Sequence, residues 1–223
     1  MLQTTSLSES VEEYLEGIHR LSDDPSGVTT TALARRLNVT PASVTGMLRR
    51  LREMGLISYR RYRHIVLTAE GQHRAHDLIR RHRLAERLLT DILKVPLDEA
   101  HDEACRLEHV VSPQLEKRIS DTLGSPEACP HGHPIDVEVQ DLTLPLSEAP
   151  LNVPLSIARL DDESPDIVRY LDERHLLPGV EVVIRERRPA AETVVLESDG
   201  QPHTLGLNLA ASIRVYPPRR RKK

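Results

Sequence analysis

Phenylalanine and tryptophan are both missing from this sequence, and only five tyrosines stand in their place. A core must therefore be built from Leu, Ile, Val and Ala, which an apolar content of 39% over 223 residues can supply. Cysteine is scarce as well. Cys105 and Cys129 can form one disulfide at most, which excludes a disulfide-stapled secreted scaffold and fits a reducing compartment. No run of about 18 apolar residues occurs, and the first ten residues lack a basic stretch followed by an apolar one. Neither a membrane-spanning helix nor a signal peptide is expected, and the chain should stay in the cytoplasm. The net charge of −4 disfavours nucleic acid when the chain is taken whole. Its distribution reverses that inference.

Val11, Tyr14, Leu15, Ile18 and Leu21 recur at helical spacing, so residues 8–21 form an amphipathic helix ended by the turn at 23–27. A short helix over 30–37 turns at Asn38-Val39 into Thr40-Pro41, an N-cap followed by proline at the first helical position. Val44, Met47, Leu48 and Leu51 give the next helix its buried face, and Gly55 ends it. Helix, short turn, helix is the geometry that lays a second helix in a DNA major groove. Its outward Ser43, Thr45, Gly46, Arg49 and Arg50 are small or donor-bearing, as groove entry requires, with Arg35, Thr40 and Ala42 beside them. Residues 58–67 then read as two β-prone runs around the basic tip Arg60, Arg61 and Arg63, a wing. Across 34–83 arginines face only Glu53, Glu70 and Asp77, so the positive charge gathers where phosphates would lie.

Thr68 should cap a long helix reaching about Leu93, with Leu78, Leu88, Leu89 and Ile92 inward. His82 and Glu86 on it are one turn apart, able to reach one ion. A charged surface pair is the commoner meaning of that spacing, as it is for Glu13 and Glu16 on the first helix. Residues 101–109 read His-Asp-Glu-Ala-Cys-Arg-Leu-Glu-His. On a continuous helix His101, Cys105, Glu108 and His109 would share one stripe at i, i+4, i+7 and i+8. Imidazole, thiolate and carboxylate are the ligands of divalent transition metals, so the stripe is a candidate metal site, against the alternative of an ordinary charged helix face. Leu107, Val110, Val111, Leu115, Ile119 and Leu123 exceed what two short helices bury, which suggests a homodimer interface. Residues 124–150 turn to Pro, Gly and polar residues and read as a linker. Within it Cys129, His131 and His133 are three candidate ligands without a second cluster. Residues 151–217 carry strand-like runs at 153–157, 180–185, 193–196 and 212–216 with a helix near 166–173, as in a small SH3-like barrel. The basic tail 218–223 has no apolar residue and is expected to be disordered.

The winged helix-turn-helix, the run Arg-His-Arg-Leu-Ala-Glu-Arg-Leu-Leu-Thr-Asp at 81–91 and the 101–109 run together resemble the diphtheria toxin repressor family, with its sister branch of manganese transport regulators. The resemblance spans the chain and implies a mainly α fold with a small β part. Its pieces would be a DNA-binding domain over 1–72, a helical metal-binding and dimerisation domain over 73–123, the linker, and an SH3-like (FeoA-like) barrel over 151–217. It implies two metal sites per subunit. Carried over by position, the primary site is Glu13, Cys105, Glu108 and His109. The ancillary site is His82, Glu86 and His101, completed by Glu163 and Asp166, and Glu16 is an extra ligand as in the manganese branch. Iron-responsive members have methionine where this chain has Glu13, and the manganese branch has a carboxylate there. Hard oxygen donors suit Mn²⁺, whereas Cys105 pulls toward Fe²⁺, and the balance favours Mn²⁺.

The expected function is a metal-dependent, non-enzymatic regulator of metal homeostasis that binds a palindromic operator in double-stranded DNA as a homodimer, with no membrane and no small-molecule substrate as partner. Two other classes compete: a winged-helix repressor that answers an organic ligand, and a metallohydrolase in which Glu and His activate metal-bound water.

Overall fold

The computed structural model describes residues 7–22, 27–59 and 64–217. Part of the turn at 23–27, the wing-tip arginines Arg60, Arg61 and Arg63, and the basic tail lie outside the described residues. The chain divides into two compact units, one of residues 1–82 with 107–112, the other of 83–106 with 113–223.

In the first unit, α1 (Glu9–Leu21), α2 (Thr30–Arg36) and α3 (Pro41–Glu53) precede a two-stranded antiparallel ribbon, β1 (Ile57–Tyr59) and β2 (Ile65–Leu67), in which Ile57 faces Leu67. The helix starts are where side-chain caps put them. Thr29 Oγ1 accepts from Ala32 N at 3.1 Å, and Thr40 Oγ1 accepts from Ser43 N at 3.2 Å with Pro41 behind it. Asn38 and Gly55 both adopt left-handed backbone, φ 51° and 73°, which turns the chain out of α2 and α3. Val11, Leu15, Ile18, Leu33, Val44, Leu48, Leu51, Ile57 and Ile65 make the core. Each contributes roughly 1.5–3 kcal/mol by leaving water. Helix α4 (Ala69–Arg87) follows, opened by Thr68, whose hydroxyl accepts from Gly71 N at 3.1 Å. A side chain at Gly71 would meet the Leu56 carbonyl at 2.0 Å, so only glycine lets α4 pass so close to the backbone just before β1.

In the second unit the expected helix to Leu93 is α-helical only as far as Arg87, and Leu88–Ile92 adopts a wider π turn that leaves Ile92 half exposed. Helix α5 (Leu97–Leu107) ends earlier than the ligand stripe requires. Residues 108–110, which belong to the first unit, form a turn, closed by Val110 N donating to Leu107 O at 3.0 Å. Proline at the start of α6 (Pro113–Thr122) disfavours helical backbone at Ser112, so the chain must leave one helix before beginning the next. Val111 and Ile119 are buried, while Val110 and Leu115 remain exposed.

The residues expected as a linker supply the first strand of a six-stranded antiparallel sheet, ordered β3-β8-β4-β5-β6-β7. Its strands are β3 (Leu144–Pro145), β4 (Pro154–Leu160), β5 (Glu181–Arg188), β6 (Thr193–Ser198), β7 (Gln201–Gly206) and β8 (Ile213–Val215). Helices α7 (Pro165–Asp172) and α8 (Leu207–Ser212) join them. Leu155, Ile157, Leu171, Val182, Ile184, Val194, Leu196 and Val215 fill the interior. Periodicity located β4, β5, β6, β8 and α7. It missed α8 and β7, a strand with Pro202 and His203 at the sheet edge, although Asp199-Gly200 at φ 48° and 75° is the two-residue hairpin turn that announces it. No helix of the described residues is long and apolar enough to cross a membrane.

Candidate metal centres and nucleic-acid face

Arg35, Thr40, Ala42, Ser43, Thr45, Gly46, Arg49 and Arg50 are all exposed, Arg35 on α2, Thr40 at the cap and the rest on α3. A Cβ added at Gly46 would meet nothing within 4 Å, so this face of α3 is open to a close partner. Such a face, two arginine forks among small residues, suits guanine edges and phosphates.

In the first unit, ligand atoms of Glu13, Glu108 and His109 lie within 4.8 Å of one another. Glu13 comes from α1, while Glu108 and His109 come from the turn after α5. His109 is clamped on both nitrogens, with Nδ1 2.8 Å from Glu12 Oε2 and Nε2 3.4 Å from Glu13 Oε1. Sequence reasoning missed Glu12, and only its position beside Glu13 could have drawn attention to it. Arg81 joins the same network, donating to Glu12 Oε1 at 3.0 Å and to the Glu108 carbonyl at 3.1 Å. His82, expected in the ancillary set, lies here with Nδ1 2.5 Å from Glu108 Oε2. Glu16 is bound by Arg20 at 2.7 Å.

The network is dense in charge, with Glu12, Glu13, Glu16 and Glu108 set against Arg20, Arg81, His82 and His109. Hydrogen bonds that His109 donates to Glu12 and Glu13, opposed by burial, push it up to about 10. Burial acts to raise Glu12, but the bonds to His109 and Arg81 outweigh it and hold its carboxyl below the ordinary value. Glu108 goes the other way, raised mainly by burial and also by the charge of Glu16, against the His82 bond. A carboxylate cluster that draws protons onto its histidine is one that a divalent cation would neutralise better.

In the second unit, Glu86 on α4, Cys129 and His131 in the loop after α6, and Glu163 in the loop between β4 and α7 bring four ligand atoms within 4.8 Å of one another, all buried. His131 Nδ1 is 3.0 Å from Glu86 Oε1, and His101 Nδ1 on α5 is 3.4 Å from Glu86 and 3.2 Å from Glu163. Cys105 Sγ lies 3.8 Å from His101 Nε2. Burial works to lower His101, yet the bonds to Cys105 and Glu86 and the Glu163 charge lift it to about 10. Burial first, then Glu86 and Glu163, keeps the Cys129 thiol well above its usual value. His131 Nε2 is buried with no hydrogen-bond partner among the described residues. An orphaned imidazole nitrogen beside a thiol and two carboxylates fits a divalent metal ion, whose entry would satisfy that nitrogen and displace the thiol proton. Asp166 is not brought in. Its side chain is 97% exposed and pairs with Arg169 at 3.7 Å, because α7 turns Val168 and Leu171 inward and residue 166 to the opposite side.

The fold and these clusters define a DNA-binding regulator that answers a divalent metal. Family models agree along nearly the whole chain. Residues 6–65 match the iron dependent repressor N-terminal DNA binding domain, 68–136 the metal binding and dimerisation domain, and 144–217 the FeoA domain. The chain is 31% identical over 227 residues to the diphtheria toxin repressor of Corynebacterium glutamicum, covering 94% of this chain and 96% of that one. It is 29% identical over 226 residues to the iron-dependent repressor IdeR of Mycobacterium leprae, covering 94% and 97%. A solved manganese-dependent transcriptional repressor in complex with manganese superposes with a TM-score of 0.85 at 30% identity, covering 93% of this chain and 99% of the other. The chain belongs to the diphtheria toxin repressor family of metal-dependent transcriptional repressors, and not to an enzyme family.

Proposed function

We propose that this repressor senses Mn²⁺ in preference to Fe²⁺, holds two ions per subunit, and binds a palindromic operator as a homodimer to control metal uptake or export. The observation that carries the reading is Glu13 on α1, whose neighbours Val11 and Leu15 sit in the winged-helix core, approaching Glu108 and His109 on the turn after α5.

A cation there would supply positive charge that ties α1 to that turn, with Glu12 and Arg81 orienting His109 and Glu108 around it. The resemblance adds Cys105 to this ion and Glu16 as a further donor. The second ion would be held by Glu86, Cys129, His131 and Glu163, with His101 beside them. The resemblance places His82 in that set and Asp166 beside it; the exposure of Asp166 favours Cys129 and His131 in its stead, and His82 keeps its place as a candidate donor. Fixing α1 fixes the recognition helix packed on it, and operator half-sites about one DNA turn apart reward a fixed spacing. Metal that favours the DNA-binding form by a typical 1–3 kcal/mol tightens the operator roughly 5–150-fold, and DNA tightens metal equally.

The test is operator binding by metal-stripped protein, titrated anaerobically with Mn²⁺, Fe²⁺ and Zn²⁺ at fixed salt. A rise of at least about fivefold that chelator reverses is the expected result. The metal acting at the lowest free concentration names the effector, and Fe²⁺ in that place would overturn the preference. Equal affinity throughout would leave a repressor that answers some other ligand.

A further inference from the structure

The loop that carries Cys129 and His131 also carries His133, which the second cluster does not use as a ligand. His133 Nε2 is 2.9 Å from the Leu160 carbonyl and 3.1 Å from Glu163 Oε1. A carbonyl oxygen only accepts, so Nε2 bears the proton and shares it between that carbonyl and the carboxylate. A protonated nitrogen cannot ligate a metal. We propose that His133 is a positioning residue that holds the Glu163 carboxylate at the second ion, and so sets that ion's affinity.

The surroundings give the ring a fixed base. Cys129 N donates to His133 O at 2.8 Å and Leu160 N donates to His131 O at 2.9 Å, so the loop is tied to itself and to the last residue of β4. Gly132, at φ 90°, would with any side chain strike the Ala158 carbonyl at 2.1 Å, which presses the loop onto the same strand. Glu163, by contrast, stands in the short loop 161–164 before α7, outside any helix or strand. A ligand on a loop aims poorly unless something orients it, and partners behind metal ligands commonly govern affinity by 10–100-fold.

The inference rests on the two-ion reading above, and the experiment separates the two. Mn²⁺ stoichiometry and both stepwise affinities are measured on the full-length protein by competition with a chromophoric chelator, for the wild type, Glu163→Ala, His133→Ala, His133→Gln and His133→Asn. We expect Glu163→Ala to lose one ion. His133→Ala should weaken that same ion about 10–100-fold and leave the other unchanged. His133→Gln, whose amide reaches as far as ring Nε2, should restore it, and His133→Asn, whose amide reaches only to the Nδ1 position, should not. A change in one stepwise constant alone, rescued by reach, is not what a merely structural histidine would give. If His133→Ala fails to fold, the Gln and Asn pair decides, and equal second-ion affinities for the two overturn the proposal. Wild-type affinities in His133→Ala overturn it while the two-ion reading stands. A single ion in the wild type overturns both.

Discussion

Glu13, Glu108 and His109 offer two carboxylates and an imidazole, with the Glu13 side chain 44% exposed, whereas Glu86, Cys129, His131 and Glu163 add a thiol and are buried throughout. The first cluster draws on α1 and on a turn almost a hundred residues later. Its carboxylates repel one another until protons or a cation intervene. The second is walled by a helix and two loops pinned to β4, and it contains an imidazole nitrogen with no hydrogen-bond partner among the described residues. An open cluster of hard donors can exchange its ion with the surroundings and respond. A sealed one with a thiolate binds later metals more firmly and serves to hold structure together. On the proposed two-ion reading, this difference would give sensing to the first cluster and stabilising to the second.

The largest expected effect is on the first cluster. Glu108→Gln removes a buried carboxylate from it, so metal should no longer tighten the operator. The loss is the whole roughly 5–150-fold response, read as operator affinity with and without Mn²⁺. A mutant that keeps the response would give the sensing role to the other cluster and break the comparison.

Cys129→Ala tests the opposite side. It should leave the metal-dependent change in operator affinity in place and abolish most of the thermal stabilisation by metal. A site that binds only the folded chain contributes about 2.7 kcal/mol at a hundred times its dissociation constant. Melting scans with and without Zn²⁺ measure it. Stabilisation equal to that of the wild type would remove the thiol from the second ion.

How differently these two clusters could be read in the sequence follows from their chain geometry. The recognition helix is legible because it lies in a local pattern, a helical period with a capped start, that the tertiary structure keeps, whereas Glu13 is reached only through the family resemblance. The 101–109 stripe misleads because charge keeps helical spacing past Leu107, while Pro113 forces the chain out of the helix. The second cluster was hidden. Cys129 and His131 look isolated in a Pro and Gly loop, since their partners Glu86 and Glu163 lie more than thirty residues away on either side. No local period connects residues brought together by a sheet and two loops. Asp166, carried over by position from the resemblance, fails for a local reason: the inward face of α7 turns it to solvent.

Proton release separates the clusters more finely. In the metal-free protein His109 stays protonated up to about pH 10, held by Glu12 and Glu13. Its folded value lies above the ordinary 6.5. This contribution to metal-free stability is therefore complete below about pH 6.5 and is lost as pH rises through about 10. A cation bound at His109 must expel that proton, so metal affinity should fall about tenfold per pH unit for each proton expelled as pH is lowered. Calorimetric titrations in two buffers of different ionisation enthalpy count the protons. With Cys129→Ala the released proton should persist, and its absence would place His109 outside the metal's reach.

The smallest effect concerns Glu16, the donor that decides whether the open cluster holds one hard ion or two. Burial raises its carboxyl, but the charges of Arg20, His82 and Arg36 together bring it below its ordinary value, so it is ionised in the metal-free protein. Its carboxylate is already engaged by Arg20 at 2.7 Å, and it is absent from the three residues whose ligand atoms converge. In that position, unless it turns from Arg20 to become the further donor the resemblance implies, it would act on a bound ion through its field. Glu16→Gln should therefore weaken the first ion by less than about tenfold, since a charge several ångströms away across a polar cluster contributes on the order of 1 kcal/mol. Arg20 would lose the charge of Glu16 but keep an amide oxygen to donate to, a change confined to a partly exposed side chain. Stoichiometry of Mn²⁺ binding decides the matter. If Glu16→Gln instead removes a whole equivalent of metal, Glu16 turns from Arg20 to the ion when metal enters. The open cluster then holds a pair of hard ions, in contrast with the single sealed one.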